Sequence, residues 1–126
     1  MAATMLIADD EPHIRMLLEQ TLEDLEDEGV TLFVASDGQE ALDVIRREVP
    51  TVVFLDVMMP KLNGFDVCAA VKGDPALAGV TIVLLTAKGQ EVDRQRGVEV
   101  GADLYLTKPF DPDELHATAE RLLGLA

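Results

Sequence analysis

The stretch TVVFLDVMMP, Thr51 to Pro60, decides how this chain is read. Four apolar residues, Val52 to Leu55, run without a polar interruption into Asp56, and two methionines and a proline follow. An unbroken run of β-formers of this length marks a strand covered on both faces. A carboxylate at the end of such a strand needs explaining, because a buried unpaired charge costs several kcal/mol or is forced neutral. Asp56 therefore stands either at a wet strand end or beside a strong partner.

The same pattern recurs on both sides of this stretch. Strands are predicted at TMLIA (Thr4 to Ala8), TLFVA (Thr31 to Ala35), Thr51 to Leu55, VTIVLL (Val80 to Leu85) and LYLT (Leu104 to Thr107). Helical spacing fills the gaps. Pro12 precedes Ile14, Leu17, Leu18, Thr21, Leu22 and Leu25 on one face, with Gly29 as the stop. Asp37 and Glu40 resemble a capping box ahead of Ala41, Leu42 and Ile45. Asn63 caps a helix carrying Phe65, Val67, Cys68 and Val71, which stops near Gly73 and Pro75. EVDRQRGVEV is the weakest helix, interrupted by Gly97. Asp111, Pro112 and Glu114 supply N-cap, first-turn proline and capping partner for a last helix that buries Leu115, Ala119, Leu122 and Leu123. Strand then helix, five times over, predicts an α/β fold: a doubly wound five-stranded parallel sheet with helices on both faces.

Bulk properties narrow the function. A chain of 126 residues with 48% hydrophobic content is one domain with an ample core, and no apolar run reaches the length that spans a bilayer. The amino-terminal residues lack the basic start of a signal peptide, and a single cysteine, Cys68, excludes an internal disulfide; both favour the cytoplasm. With 24 acidic against 10 basic residues the net charge is −14, which disfavours direct nucleic-acid contact. Much of that acidity, as in EQTLEDLEDEG, reads as a solvated helix face. No repeat or linker divides residues 1–126, and Gly124 to Ala126 close the last helix, so a single domain is expected, free-standing or part of a longer chain.

In doubly wound sheets, ligands bind beyond the carboxyl ends of the strands. Those ends carry Asp9, Asp10 and Glu11 after the first strand, Asp56 after the third, Thr86 after the fourth, and Thr107 and Lys108 after the fifth. Two unit charges about 4 Å apart repel by roughly 4 kcal/mol at an effective dielectric near 20, so Asp9, Asp10 and Asp56 call for a cation. Lys108 and a hard divalent ion would balance them. One-sided oxygen ligands suit Mg2+ with its waters, whereas His13, His116 and Cys68 lack zinc spacing. A carboxylate held by such a metal can accept a phosphoryl group, with Lys108 offsetting charge and Thr86 bonding a phosphoryl oxygen. Asp56, alone on the central strand, is the best acceptor.

LIADDEP, FLDVMMPKLNGFDV, LLTAKG and GADLYLTKPF together resemble the receiver domain of two-component response regulators, in order and over essentially the whole chain. The resemblance implies a flavodoxin-like fold with sheet order 2-1-3-4-5. It implies phosphorylation of Asp56 by a sensor histidine kinase, a phosphotransfer protein or a small phosphodonor, and control of a downstream effector domain or protein. Asp10 and Asp56 would ligate Mg2+ by side chain and Met58 by its backbone carbonyl, with Asp9 acting largely through water. Thr86 and Lys108 would contact the phosphoryl group, and Tyr105 would turn inward as Thr86 moves. The Lys108–Pro109 bond resembles one that is cis in the family. Met58 and Lys88 stand at positions that modulate dephosphorylation there.

One subfamily pairs receivers through charges on the fourth helix, fifth strand and fifth helix. Arg94, Glu99 and Asp103 match that pattern, while Leu104 and Thr118 replace an acid and a base. Val98, Val100 and Leu104 offer an apolar surface as the alternative docking face, or else belong to the core. Met58 and Met59 read as pocket-rim residues, and His13 and His116 as exposed helix residues. The competing function is a Mg2+-dependent phosphatase or phosphotransferase with an Asp nucleophile, but Met58 occupies the place, two residues on, where haloacid-dehalogenase-type hydrolases carry their general acid and base. A nucleotide or flavin site is disfavoured because no glycine-rich loop follows the first strand.

Overall fold

The five apolar runs lie side by side as β1 (Thr4–Ala8), β2 (Thr31–Ala35), β3 (Val52–Asp56), β4 (Thr81–Ala87) and β5 (Leu104–Lys108) in a computed structural model that describes residues 3–87, 91–108 and 111–125. All neighbours are parallel, in the order β2-β1-β3-β4-β5. Five helices connect and cover them: α1 (Pro12–Leu22), α2 (Gly38–Glu48), α3 (Gly64–Lys72), α4 (Glu91–Val100) and α5 (Pro112–Leu122). The flavodoxin-like doubly wound architecture expected from the sequence is the one found.

Successive strand residues point to opposite faces, and the core divides accordingly. Leu6, Val53, Leu55, Ile82 and Leu84 pack with Ala41, Leu42, Ile45, Phe65, Cys68 and Val71 from α2 and α3. Met5, Ile7, Val52, Phe54, Val83 and Leu85 pack with Leu18, Leu22, Leu115 and Ala119 from α1 and α5. No described helix is long and apolar enough to cross a membrane.

Several element ends differ from the sequence reading. β3 runs to Asp56, whose ladder partner is Leu85, so the acid is the last strand residue and not the first residue beyond the strand. Thr86 and Lys108 likewise lie inside β4 and β5. The first helix stops at Leu22 and continues as a 3-10 turn, Glu23–Glu28, which still buries Leu25 and ends on Gly29 at φ 89. Five acids at a helix carboxyl end oppose its dipole, and a 3-10 turn is the common way for such an end to tighten. Gly97 does not interrupt α4, because the roughly 1 kcal/mol that glycine costs relative to alanine is too little to break a helix in tertiary context.

The caps are partly as expected. Asp37 Oδ1 accepts from the Glu40 N–H at 2.8 Å, but the Glu40 carboxylate turns to Ser36 Oγ instead of completing a capping box. Asn63 accepts from the Asp66 N–H, and Asp111 from Asp113. Leu122 and Leu123 are half-buried, and Leu17, at the margin of the α1 stripe, is exposed. Met59 is a buried core residue and not a rim residue, whereas Met58 is 74% exposed.

Candidate phosphoacceptor site

β1, β3 and β5 deliver the functional side chains to one edge because each strand's apolar run ends in a polar residue at the same height. Asp9, Asp10 and Asp56 each present a carboxylate oxygen, and these oxygens all lie within 4.8 Å of one another. Asp9 is fully buried, Asp56 is 5% exposed and Asp10 is exposed. Lys108 joins them: its Nζ donates to Asp9 Oδ2 at 2.9 Å and lies 3.0 Å from Asp56 Oδ1. Of the two possibilities for the carboxylate that ends β3, the strong partner is the correct one.

One ammonium does not balance three acids at this separation. Burial pushes the Asp56 carboxyl up, the Asp9 charge pushes it further, and Lys108 with the Met58 backbone amide pulls it partly back, leaving it at about 6. Burial alone would lower the Lys108 ammonium, yet its bonds to Asp9 and Asp56 hold it above the ordinary lysine value. The donor set is oxygen only, short of positive charge and open on the Asp10 side, which fits a hard divalent cation that keeps part of its water shell.

Thr86 is buried on β4, between β3 and β5. Leu84 pairs with Tyr105 and Thr86 with Thr107, so Thr86 and Tyr105 share one face of the sheet, two residues apart along the strands. Tyr105 is half-buried and packs against the α2–α3 side of the core. Lys88 and Pro109 lie outside the described residues, as does the side chain of Arg94.

Four further residues support the site and left little trace in the sequence. Gly64 opens α3 against the acid's own backbone: a Cβ there would stand 2.5 Å from the Asp56 carbonyl oxygen and 2.9 Å from Val57 Cα. A Cβ on Gly38 would collide with the Leu62 carbonyl, and the Gly38 N–H donates to Pro60 O at 3.3 Å, so α2 braces the loop after β3. Lys61 holds φ 70 in that loop and lies 3.5 Å from Asp37. Arg15 bonds the Asp9 carbonyl. Each depends on a contact that no local pattern announces, although the glycine of KLNG was a visible signal.

Away from the site, one of the charges matched to the receiver-pairing pattern, Asp103, is engaged within its own domain. Asp103 accepts from the Ile82 N–H at 2.8 Å and pairs with Lys72 at 2.8 Å, and Lys72 in turn donates to Val80 O. Thr118 is buried in α5, and Glu99 is exposed. Of the three residues offered either to a docking surface or to the core, Val98 is exposed, whereas Val100 and Leu104 are half-buried and pack against the core on opposite sides of the sheet. Cys68 is a buried core residue, as expected, its thiol pushed up by burial to about 11. His13 is exposed, but His116 is only half-exposed and held between two carboxylates, Asp24 and Glu120.

Comparison with known proteins agrees with the fold and with the family resemblance. Residues 5–120 match the family model described as the response regulator receiver domain. The "probable transcriptional regulator ycf27" of Guillardia theta is 46% identical over 119 residues, covering 94% of this chain and 44% of that protein. This chain spans about half the length of the curated relatives it matches. Among solved structures, a response regulator from Chloroflexus aurantiacus is 33% identical with a TM-score of 0.86, over 98% of this chain and 99% of that one. The chemotaxis response regulator CheY4 of Vibrio cholerae is 34% identical with a TM-score of 0.84, over 98% and 100%.

Proposed function

Since the chain belongs to the response regulator receiver domains, the phosphoacceptors of two-component signalling, we propose that Asp56 is its phosphorylated residue and that Asp9, Asp10 and Asp56 hold Mg2+. A receiver of this family takes its input from a histidine kinase and passes it to an effector. The observation that carries the assignment is the carboxylate cluster within 4.8 Å, bridged by Lys108. Asp56 is central to it, anchored on the middle strand, its carboxyl raised to about 6 by burial and the neighbouring Asp9 charge.

In this reading an Asp56 carboxylate oxygen attacks the phosphorus of a phosphohistidine or a small acyl phosphate. The new O–P bond forms as the donor's N–P or O–P bond breaks, and the departing electron pair stays with the donor. Bound Mg2+ supplies charge neutralisation at the transferring oxygens. Asp10 and Asp56 would hold the ion by side chain and Met58 by its backbone carbonyl, with Asp9 acting through water and through Lys108. The Lys108 ammonium swings from the acids to the phosphoryl oxygens, and the Thr86 hydroxyl donates to one of them. Drawing Thr86 inward frees room on the sheet face it shares with Tyr105, so the aromatic ring follows. The result is a shift between two packings, bounded by what the phosphoryl group stabilises. The domain acts in the cytoplasm, with residues 1–126 as one receiver, and signals through protein contacts; a net charge of −14 keeps it off nucleic acid.

Incubation with acetyl phosphate and Mg2+, followed by intact mass measurement, tests the assignment. One added phosphoryl group is expected in the wild type and none in Asp56→Ala. Equal mass gain in the two proteins refutes it.

A further inference from the structure

Arg15 has no part in the phosphoacceptor chemistry above, yet it is bonded into the most buried member of the site. α1 starts at Pro12, and its N-cap, Glu11, makes no side-chain capping bond. From one turn inside the helix Arg15 reaches back six residues, and its Nη1 donates to the Asp9 carbonyl at 2.9 Å. Every polar group of Asp9 is thereby engaged. Its N–H donates to Ala35 O at 3.2 Å, its Oδ1 accepts from the Glu11 N–H at 3.0 Å, and its Oδ2 accepts from Lys108 at 2.9 Å. β2, α1 and β5 converge on this one residue.

Asp10 follows directly and is exposed, and among the described residues no side chain bonds its carboxylate. Its direction is therefore set by the backbone of the turn in which it sits. That turn is pinned at two points, the Asp9 carbonyl by Arg15 and the Asp9 carboxylate by the Glu11 N–H. A long side chain with several fixed donors suits a task that spans a helix turn to reach a single carbonyl.

We propose that Arg15 is a positioning residue for the divalent-cation site, pinning the Asp9 carbonyl so that Asp10 points at the metal, without itself touching metal or phosphoryl group. The inference rests on the reading of the three acids as a Mg2+ site. Loss of a residue that orients a metal ligand weakens affinity by about 10- to 100-fold in comparable sites.

The test compares wild type, Arg15→Met, which keeps the aliphatic stem without donors, and Arg15→Lys, which restores one. Mg2+ affinity is measured by titration, and exchange of the Glu11 amide proton is measured in metal-free protein. Arg15→Met is expected to raise the Mg2+ dissociation constant roughly tenfold and to speed Glu11 exchange. Its phosphorylation rate should recover at saturating Mg2+, and Arg15→Lys should recover part of both losses. Unchanged Mg2+ affinity in Arg15→Met, or a loss that Arg15→Lys does not repair at all, overturns the proposal. A wild type that fails to bind Mg2+ sinks the metal reading itself, and the inference with it.

Discussion

The Asp56 carboxyl, pushed from 3.8 to about 6, links this residue to stability in a definite direction. A carboxyl raised in the folded state binds more protons there than in the unfolded chain, so stability falls as pH rises between about 4 and about 6 and stays reduced above that. Two units correspond to about 3 kcal/mol at most with the pull of Lys108 already included, and loss of the Lys108 ion pair in an amide variant brings the expected gain to the order of 1–2 kcal/mol. Asp56→Asn should therefore stabilise the metal-free domain at pH 7.5 by that amount, with the gain shrinking toward pH 5. Urea denaturation in the presence of a chelator measures it, and equal stability at pH 7.5 would show that the acid is adequately compensated. The residue was conspicuous in the sequence because a charge interrupts an apolar run. Its place inside the ladder was not, since residue type alone does not say where backbone pairing stops. Lys108 was legible as a strand-end cation, but its bond to the fully buried Asp9 required the fold. Arg15 left no signal, for an arginine in the first turn of a helix looks like any solvated one.

Among the elements, α3 meets β3 at its own first residue. Gly64→Ala would drive a methyl group to 2.5 Å from the Asp56 carbonyl oxygen, where both contacted groups are backbone and neither yields cheaply. A loss of roughly 1–3 kcal/mol is expected, with slower phosphorylation by acetyl phosphate at saturating Mg2+ because the acceptor strand itself is displaced. Wild-type stability and rate together would mean that α3 simply slides away. α5 offers a second measurable joint. His116 Nε2 lies 2.8 Å from Asp24 in the turn after α1, and its Nδ1 lies 2.9 Å from Glu120. The hydrogen bond to Asp24 raises the imidazole above its ordinary value of 6.5 despite some burial, with the charges of Asp24 and Glu120 adding to it. A raised histidine stabilises fully below about 6.5 and loses that contribution as pH climbs through the folded value. For a partly exposed pair the contribution is about 0.5 kcal/mol. A proton NMR titration of His116 should show its midpoint fall in Asp24→Asn; an unmoved midpoint would leave the α1–α5 joint to packing alone. The helices themselves were readable from spacing and caps. The 3-10 turn and the His116 clamp were not, because each is set by partners far along the chain.

For the molecule as a whole, −14 charges on a small domain oppose compaction everywhere, and the three-acid edge concentrates that repulsion. Two kinds of cation therefore act differently. Monovalent salt screens the surface and should raise thermal stability smoothly, in the wild type and in every site variant alike. Mg2+ at constant ionic strength should stabilise by mass action at a specific site, by about 2.7 kcal/mol at a concentration one hundred times its dissociation constant. Asp10→Asn separates the two. It removes one of the repelling carboxylates, so the metal-free protein should melt no lower than wild type, and it removes the proposed open-side ligand, so the Mg2+ increment should largely disappear while the response to NaCl remains. Differential scanning calorimetry at fixed ionic strength, with and without Mg2+, reads both quantities in one series. A full Mg2+ increment in Asp10→Asn would mean that the ion stabilises through diffuse surface charge. The sheet edge would then hold its acids by Lys108 alone, and phosphoryl transfer to Asp56 would have to proceed without a metal fixed beside it.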